Sequence, residues 1–199
     1  MPSDAVTLIM SDHRVMEGLF KLLKDPSQDR AALVEEVYAR LKAHSEAEEQ
    51  HVYPALAKAD PSEKEDVHHG TEEHHEAEEM CAKLRGMQPG TPEFESTLDE
   101  FIEAVTHHVE EEETEILPDL ARTFDRAKLE ELGRKFEERR LGELVARGYE
   151  PAISAGTTGG IDELTREELY EKAKEADIPG RSSMTKEELV SALQDAQAR

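Results

Sequence analysis

Four successive stretches of this chain carry apolar residues at steps of three and four, and one histidine interrupts each stretch. The first stripe runs Val6, Ile9, His13, Met16, Phe20 and Leu23. The second runs Leu33 or Val34, Val37, Leu41, His44, Glu48 and then Val52 or Ala55. Val67, His74, Cys81 and Leu84 form the third, and Leu98, Phe101, Val105, His108, Glu112 and Ile116 the fourth. Such spacing gathers side chains on one face of an α-helix. The punctuation agrees. Ser3 or Asp4 can cap the first helix and Asp25-Pro26 stops it, while Ser27 can cap the second. Asp60-Pro61-Ser62-Glu63 ends one helix and opens the next, and Pro89-Gly90 followed by Thr91-Pro92 does the same further on. Short connections between long helices predict an all-α, up-down-up-down four-helix bundle. A fifth, more charged helix is expected from roughly Asp125 to Arg147.

The histidines carry chemistry as a set. Two stripes continue with a glutamate one turn on, as His44-x-x-x-Glu48 and His108-x-x-x-Glu112, so each pair shares a face. The two segments also match in Glu49 and Glu113, and in Pro54 and Pro118. His44 and His74 each lie about 15 residues from the turn near Asp60. His13 and His108 stand at similar distances from their own turns, about 13 and 18 residues, so an antiparallel bundle brings all four imidazoles to one level. A single histidine on an apolar face is usually a hydrogen-bonded core residue. Four at one depth with two carboxylates point to a metal site, because buried carboxylates are costly unless paired or metal-bound.

The donor set narrows the metal. Imidazole and carboxylate without thiolate, and more than four ligands, disfavour structural zinc. Calcium and magnesium prefer all-oxygen sites, whereas iron or manganese suits mixed donors. Glu48 and Glu112 can each bridge two ions, the histidines can fill terminal positions, and a position left open can accept dioxygen or another small ligand. His51, His68, His69, His75 and His107 lie off the stripes and read as exposed rather than ligating. Tyr53 reads as packing at a helix end, near the edge of the site. A ferritin-like site needs Glu-x-x-His on two helices and one Glu on each of the others. Glu48-x-x-His51 and Glu72-x-x-His75 supply the first pattern, but the first stripe offers His13 where a Glu is required, so iron storage of that type is the weaker reading.

Asp12-His13, His44-x-x-x-Glu48 with Tyr53-Pro54, Glu73-His74, and His108-Val-Glu-Glu-Glu112 with Leu117-Pro118 resemble the bacterial hemerythrin-like, or HHE cation-binding, domain. The resemblance covers roughly residues 4 to 140. It implies a non-haem di-iron site, oxo- or hydroxo-bridged, with Glu48 and Glu112 as bridging ligands and His13, His44, His74 and His108 as terminal ones. Dioxygen, peroxide or nitric oxide is then the expected small ligand. Members of this family that carry oxygen have two histidines four apart on the third helix. Here Gly70 lies four before His74 and Glu78 four after. Either Glu78 substitutes, or a position stays open to water. That departure puts peroxide or nitric oxide chemistry on an equal footing with oxygen carriage. A binding protein (carrier, store or sensor) and an enzyme decomposing peroxide draw on the same ligands.

Residues 148–161 read as a linker rich in Gly, Ser and Thr, which divides a domain at 1–147 from a small module at 162–199. In the module, Leu164-Thr-Arg-Glu-Glu-Leu169 recurs as Met184-Thr-Lys-Glu-Glu-Leu189, each with a capping-box pattern. With Ile178-Pro-Gly-Arg181 between them, these helices resemble the amino-terminal helix–loop–helix of the transcription terminator Rho and SAP-type modules. Such modules accompany nucleic-acid binding. However, residues 161–199 hold six Lys or Arg against ten Asp or Glu, a net of −4. The whole chain of 199 residues has a formal charge of −23. Both figures oppose phosphate binding, so either a protein partner or an inert tail is the expectation for the module. Cys81 is the single cysteine, which excludes an internal disulfide. With no signal peptide and no membrane-spanning run in view, the cytoplasm is the expected compartment.

Overall fold

The computed structural model describes residues 3–149, together with 169, 184–186, 188 and 189. The chain divides into two compact units, Met1–Ile153 and Ser154–Arg199. Among the described residues there is no strand, and no helix is long and apolar enough to cross a membrane.

The first unit is built from helices α1 (Ala5–Leu23), α2 (Arg30–Ala47), α3 (Tyr53–Ala59), α4 (Lys64–Arg85), α5 (Pro92–Glu111), α6 (Leu117–Thr123) and α7 (Arg126–Ala146). Five-residue π-helical turns, Glu48–Val52 and Glu112–Ile116, join α2 to α3 and α5 to α6. The four expected rods are therefore α1, α2–α3, α4 and α5–α6, with α7 laid against α1 and α2. Helix starts follow local chemistry. Asp4 accepts from Thr7 N, Thr91 from Phe94 N and Asp125 from Lys128 N, each holding a backbone donor that the first turn leaves free. The second helix corrects the sequence reading. Its cap is Asp29, which accepts from Ala32 N, while the Ser27 hydroxyl turns back to Asp25. Asp60 holds a short 3₁₀ turn, Pro61–Glu63, ahead of α4. Gly90, at φ +87°, makes the reversal before α5 in a conformation that side chains other than glycine's disfavour.

The core is split in two. One apolar plug gathers Met16, Phe20, Val37, Leu41, Leu84, Phe101 and Val105, with Phe20 and Phe101 edge to face at 5.6 Å. The other gathers Ile9, Ala47, Val52, Leu56, Ile116, Leu120 and Phe136. Every rod passes from one plug to the other at its histidine: Met16 to Ile9 across His13, Leu41 to Ala47 across His44, Ala77 to Val67 across His74, and Val105 to Ile116 across His108. A polar slab thus lies between two plugs that keep water from it. Cys81 packs in the first plug, where burial pushes its thiol up to about 12, so it stays protonated and inert.

α7 seals one side. Phe136 is fully buried and meets the His44 ring edge-on at 5.7 Å. Gly133 lets α7 reach the start of α1, since a Cβ there would stand 2.6 Å from Ser3 O.

In the second unit only a fragment is described. Leu169 and Leu189 are fully buried, and Thr185 N donates to Glu188 Oε2 while Glu188 N donates to Thr185 Oγ1, a complete capping box. The proposed linker beyond Tyr149, the first half of the repeat before Leu169 and the Ile178-Pro179-Gly180 break lie outside the described residues.

Candidate metal centre

The structure brings all six proposed ligands together at the slab. His13, His44, Glu48, His74, His108 and Glu112 are all buried, both glutamates completely. The imidazoles form a chain, with ring centroids 5.1 Å apart from His13 to His44, 6.2 Å from His44 to His74 and 4.5 Å from His74 to His108. The Nε2 atoms face the carboxylates. His13 Nε2 is 3.1 Å from Glu112 Oε2, and His44 Nε2 is 3.1 Å from Glu48 Oε2. His74 Nε2 lies 3.4 Å from Glu48 Oε2, and His108 Nε2 lies 3.9 Å from Glu112 Oε2. Two trios, His13–His44–Glu112 and His44–Glu48–His74, each offer ligand atoms lying within 4.8 Å of one another.

Close approach here does not mean hydrogen bonding. Nε2 of His13, His74 and His108, both oxygens of Glu48, and Glu112 Oε2 are buried without a hydrogen-bond partner. Left so, these atoms would cost several kcal/mol (about 1–3 each, more for charged groups). Two carboxylates and four imidazoles that spend their lone pairs on one enclosed space fit a pair of cations.

Each imidazole is fixed from behind. Nδ1 of His13 donates to Glu113 at 2.8 Å, that of His44 to Asp12 at 3.4 Å, that of His74 to Glu49 at 3.1 Å and that of His108 to Glu73 at 2.9 Å. A proton held at Nδ1 leaves the Nε2 lone pair for a metal. Arginines brace two of these carboxylates: Arg140 donates to Asp12 at 2.9 Å and Arg14 to Glu113 at 2.6 Å.

The local field is strong. Burial works to raise the Glu48 carboxyl, but the His44 and His74 imidazoles outweigh it and hold Glu48 well below the usual range. Burial lowers His74, yet Glu48 and Glu49 prevail and lift it to about 9. His44 is likewise raised against burial, by Glu48 and Asp12. The His108 imidazole beside Glu73 holds that carboxyl below its ordinary value.

Tyr53 has a larger place than packing at a helix end. Its hydroxyl donates to Glu112 Oε1 at 3.1 Å, and its ring stacks on His74 at 5.6 Å, nearly parallel. Burial, with Glu112 and Glu48 near, pushes the phenol well above its ordinary value, so it keeps its proton. It fits because Gly70 faces it: a Cβ at position 70 would stand 3.0 Å from Tyr53 Oη. The space that a side chain four before His74 would fill is thus taken by the tyrosine of another rod. Glu78, the other candidate, pairs with Lys42 at 2.8 Å. His68, His69, His75 and His107 are exposed, and His51 is half-buried where its π turn meets α7.

A cavity of about 30 Å³ opens against His13, His44, His74 and His108, with Met16, Leu41, Val105 and Leu144 among its apolar walls. That is more than the ~10–15 Å³ a single water needs on this measure.

Residues 4–120 match the Hemerythrin HHE cation binding domain, and residues 161–199 match the Rho termination factor N-terminal domain. A hemerythrin-like protein of Schizosaccharomyces pombe is 29% identical over 132 residues, 65% of this chain and 65% of that protein. The chain thus aligns with just under two thirds of that relative's length. The crystal structure of a hemerythrin HHE cation-binding-domain-containing protein from Mycobacterium kansasii superposes with a TM-score of 0.62 at 24% identity. That superposition covers 96% of this chain and 99% of the other and establishes a shared fold. With the domain match spanning more than half of its length, and metal-ligating side chains at the middle of its bundle, the chain belongs to the hemerythrin HHE cation-binding family.

Proposed function

We propose that the chain is a non-haem di-iron protein that binds a small oxygen- or nitrogen-centred ligand, dioxygen or nitric oxide, in the cavity beside its four imidazoles. One observation carries the reading: partnerless ligand atoms converge where a pocket of about 30 Å³, with room for a diatomic molecule, adjoins them. His13, His44, His74 and His108 would hold two iron ions with Glu48 and Glu112 between them. Iron, when bound, would supply the electron density that holds such a ligand. The chain's own part is to fix the imidazoles through Nδ1, to exclude water with the two plugs, and to hold a proton at Tyr53 Oη beside Glu112.

The Tyr53 hydroxyl favours a second reading, decomposition of peroxide. The buried phenol keeps its proton and gives it to Glu112 Oε1 at 3.1 Å, so it can serve an oxygen-centred substrate as a proton donor once that contact is released. Elemental analysis of protein from iron-replete cells should give about two iron ions per chain, one for each of the two trios of donor atoms. One zinc per chain without iron would defeat both readings. Anaerobically reduced protein is then mixed with oxygen, and separately with peroxide, while its spectrum is followed. A stable, reversible oxygenated spectrum supports the binding protein. Rapid consumption of peroxide over many turnovers supports the enzyme.

A further inference from the structure

Glu73 has two working oxygens. Oε2 accepts from His108 Nδ1 at 2.9 Å, on the inner side. Oε1 faces outward, 3.6 Å from His69 Nε2, one turn earlier on α4. On the neighbouring α5, Glu111 Oε2 lies 3.7 Å from the same His69 nitrogen and Glu111 Oε1 lies 3.2 Å from His107 Nε2. Two His-x-x-x-Glu pairs, His69 with Glu73 and His107 with Glu111, therefore face each other across the α4–α5 seam. It is the spacing the interior uses at His44 with Glu48 and at His108 with Glu112.

For His69 the distances match metal coordination better than hydrogen bonding. At 3.6 and 3.7 Å, His69 Nε2 stands outside hydrogen-bond reach of both carboxylates. Tetrahedral ligands at ~2.0–2.1 Å from zinc sit about 3.3–3.4 Å from one another. One ligand atom each from His69, Glu73 and Glu111 lies within 4.8 Å of the others. His69 and His107 are about three-fifths exposed, so an ion reaches them from solvent.

This corner also departs from its counterparts on the other side of the bundle. Asp12 and Glu113, which orient His44 and His13, are braced by Arg140 and Arg14. An arginine cannot ligate a metal. At Glu73 an imidazole, a metal donor, stands in that place, as His75 does beside Glu49 at 3.7 Å, and at Glu73 the neighbouring rod adds Glu111 and His107. The surrounding charge of −23 favours cations.

We infer that His69, Glu73, His107 and Glu111 form a second, solvent-exposed site for one divalent transition-metal ion of zinc type, linked to the buried centre through Glu73. Two imidazoles and two carboxylates suit such an ion and discriminate against magnesium, which keeps its waters and prefers oxygen. An ion held at Glu73 Oε1 draws on the carboxylate that fixes His108, so occupancy outside is felt inside.

The test is titration of the full, metal-loaded chain with zinc ions, with iron content measured before and after. One further zinc per chain should bind without loss of iron. The double variant His69→Ala/His107→Ala should weaken that binding at least 10-fold and leave the original metal content intact. His68→Ala/His75→Ala, which removes two exposed imidazoles elsewhere on α4, should bind zinc as the wild type does. The inference is overturned if His69→Ala/His107→Ala binds zinc with unchanged stoichiometry and affinity, or if magnesium binds as tightly as zinc. Iron analysis before the titration tests the buried centre separately, because the outer site is read as the zinc lost on removing His69 and His107.

Discussion

At the scale of single residues, the centre is a closed ring of exchanges. Each rod gives one histidine and one carboxylate next to a ligand, and that carboxylate serves the histidine of the following rod. Asp12 on α1 fixes His44 on α2, Glu49 after α2 fixes His74 on α4, Glu73 on α4 fixes His108 on α5, and Glu113 after α5 returns to His13 on α1. Adjacent helical residues point about 100° apart, so one faces the centre and its neighbour faces the next rod. Partners of this kind typically contribute about 10–100-fold to metal affinity. Glu49→Gln and Asp12→Asn should therefore weaken iron binding by about that factor in a chelator competition, with the helical fold intact. Glu48→Ala should lose the metal, and His51→Ala should keep it. The six candidate ligands could be picked out because each lies on its stripe. The four orienting carboxylates stood in view beside them, but their direction is a property of rod packing, which spacing along one rod does not encode. The same contacts set a pH dependence. His74 is lifted to about 9 from 6.5, so the stability its proton lends the metal-free chain is full below about pH 6.5 and lost as pH rises through 9. His44, also raised, adds in the same sense. Melting of the metal-free protein should fall across that window while metal affinity rises, since an ion displaces these protons. A melting temperature flat from pH 6.5 to 9 would contradict the assignment.

At the scale of elements, the π turns decide what the centre can contain. In each, the residue after the turn donates five places back, Tyr53 N to Glu48 O and Leu117 N to Glu112 O. Pro54 and Pro118 follow at once. A proline in a regular α-helix clashes with the carbonyl four residues earlier, and the wider turn relieves that. The extra residue rotates the rod, so that Tyr53 and Leu56 face inward below Glu48 and Ile116 and Leu120 do so below Glu112. The matched prolines marked the place in the sequence, yet a stripe read at one period runs straight through a π turn. Tyr53 was misjudged for that reason, and because its room comes from Gly70 on α4. α7 offers a direct test of close packing. Gly133→Ala would place a Cβ 2.6 Å from Ser3 O and 2.8 Å from Asp4 C, backbone atoms that cannot step aside alone. Overpacking of this kind costs about 1–3 kcal/mol. At about 2–4 °C per kcal/mol for a chain of this size, melting should fall by about 2–12 °C. Gly142→Ala, on the same helix with open space around it, should not lower it. Equal melting temperatures for Gly133→Ala and the wild type would mean that α7 does not hold this close approach.

At the scale of the whole chain, every residue of the centre and of its bracing lies in the unit Met1–Ile153. The plugs above and below the slab are drawn from α1 to α7. Nothing in that account calls on Ser154–Arg199, so a chain ending at Ile153 should keep the iron content and spectrum of the full protein. Elemental analysis of the two side by side is the check, and loss of metal on truncation would refute it. The second unit poses a conflict between likeness and charge. Its match to the Rho amino-terminal domain and its capping box at Thr185 and Glu188 point to a module that elsewhere accompanies nucleic acid. Its net charge of −4, part of the −23 of the whole chain, repels phosphate. Non-specific binding rests on Lys and Arg displacing counterions and steepens with their number, so charge decides at moderate salt. Neither DNA nor RNA should be retarded by the full chain in a gel-shift titration at moderate salt. Retardation that fades steeply as salt is added would mean that Arg181 and Lys186 act as a local basic face within the acidic unit. It would also make the unit that carries the candidate metal centre part of a nucleic-acid-bound chain, and the spectrum of the metal-loaded protein should then be compared with and without it.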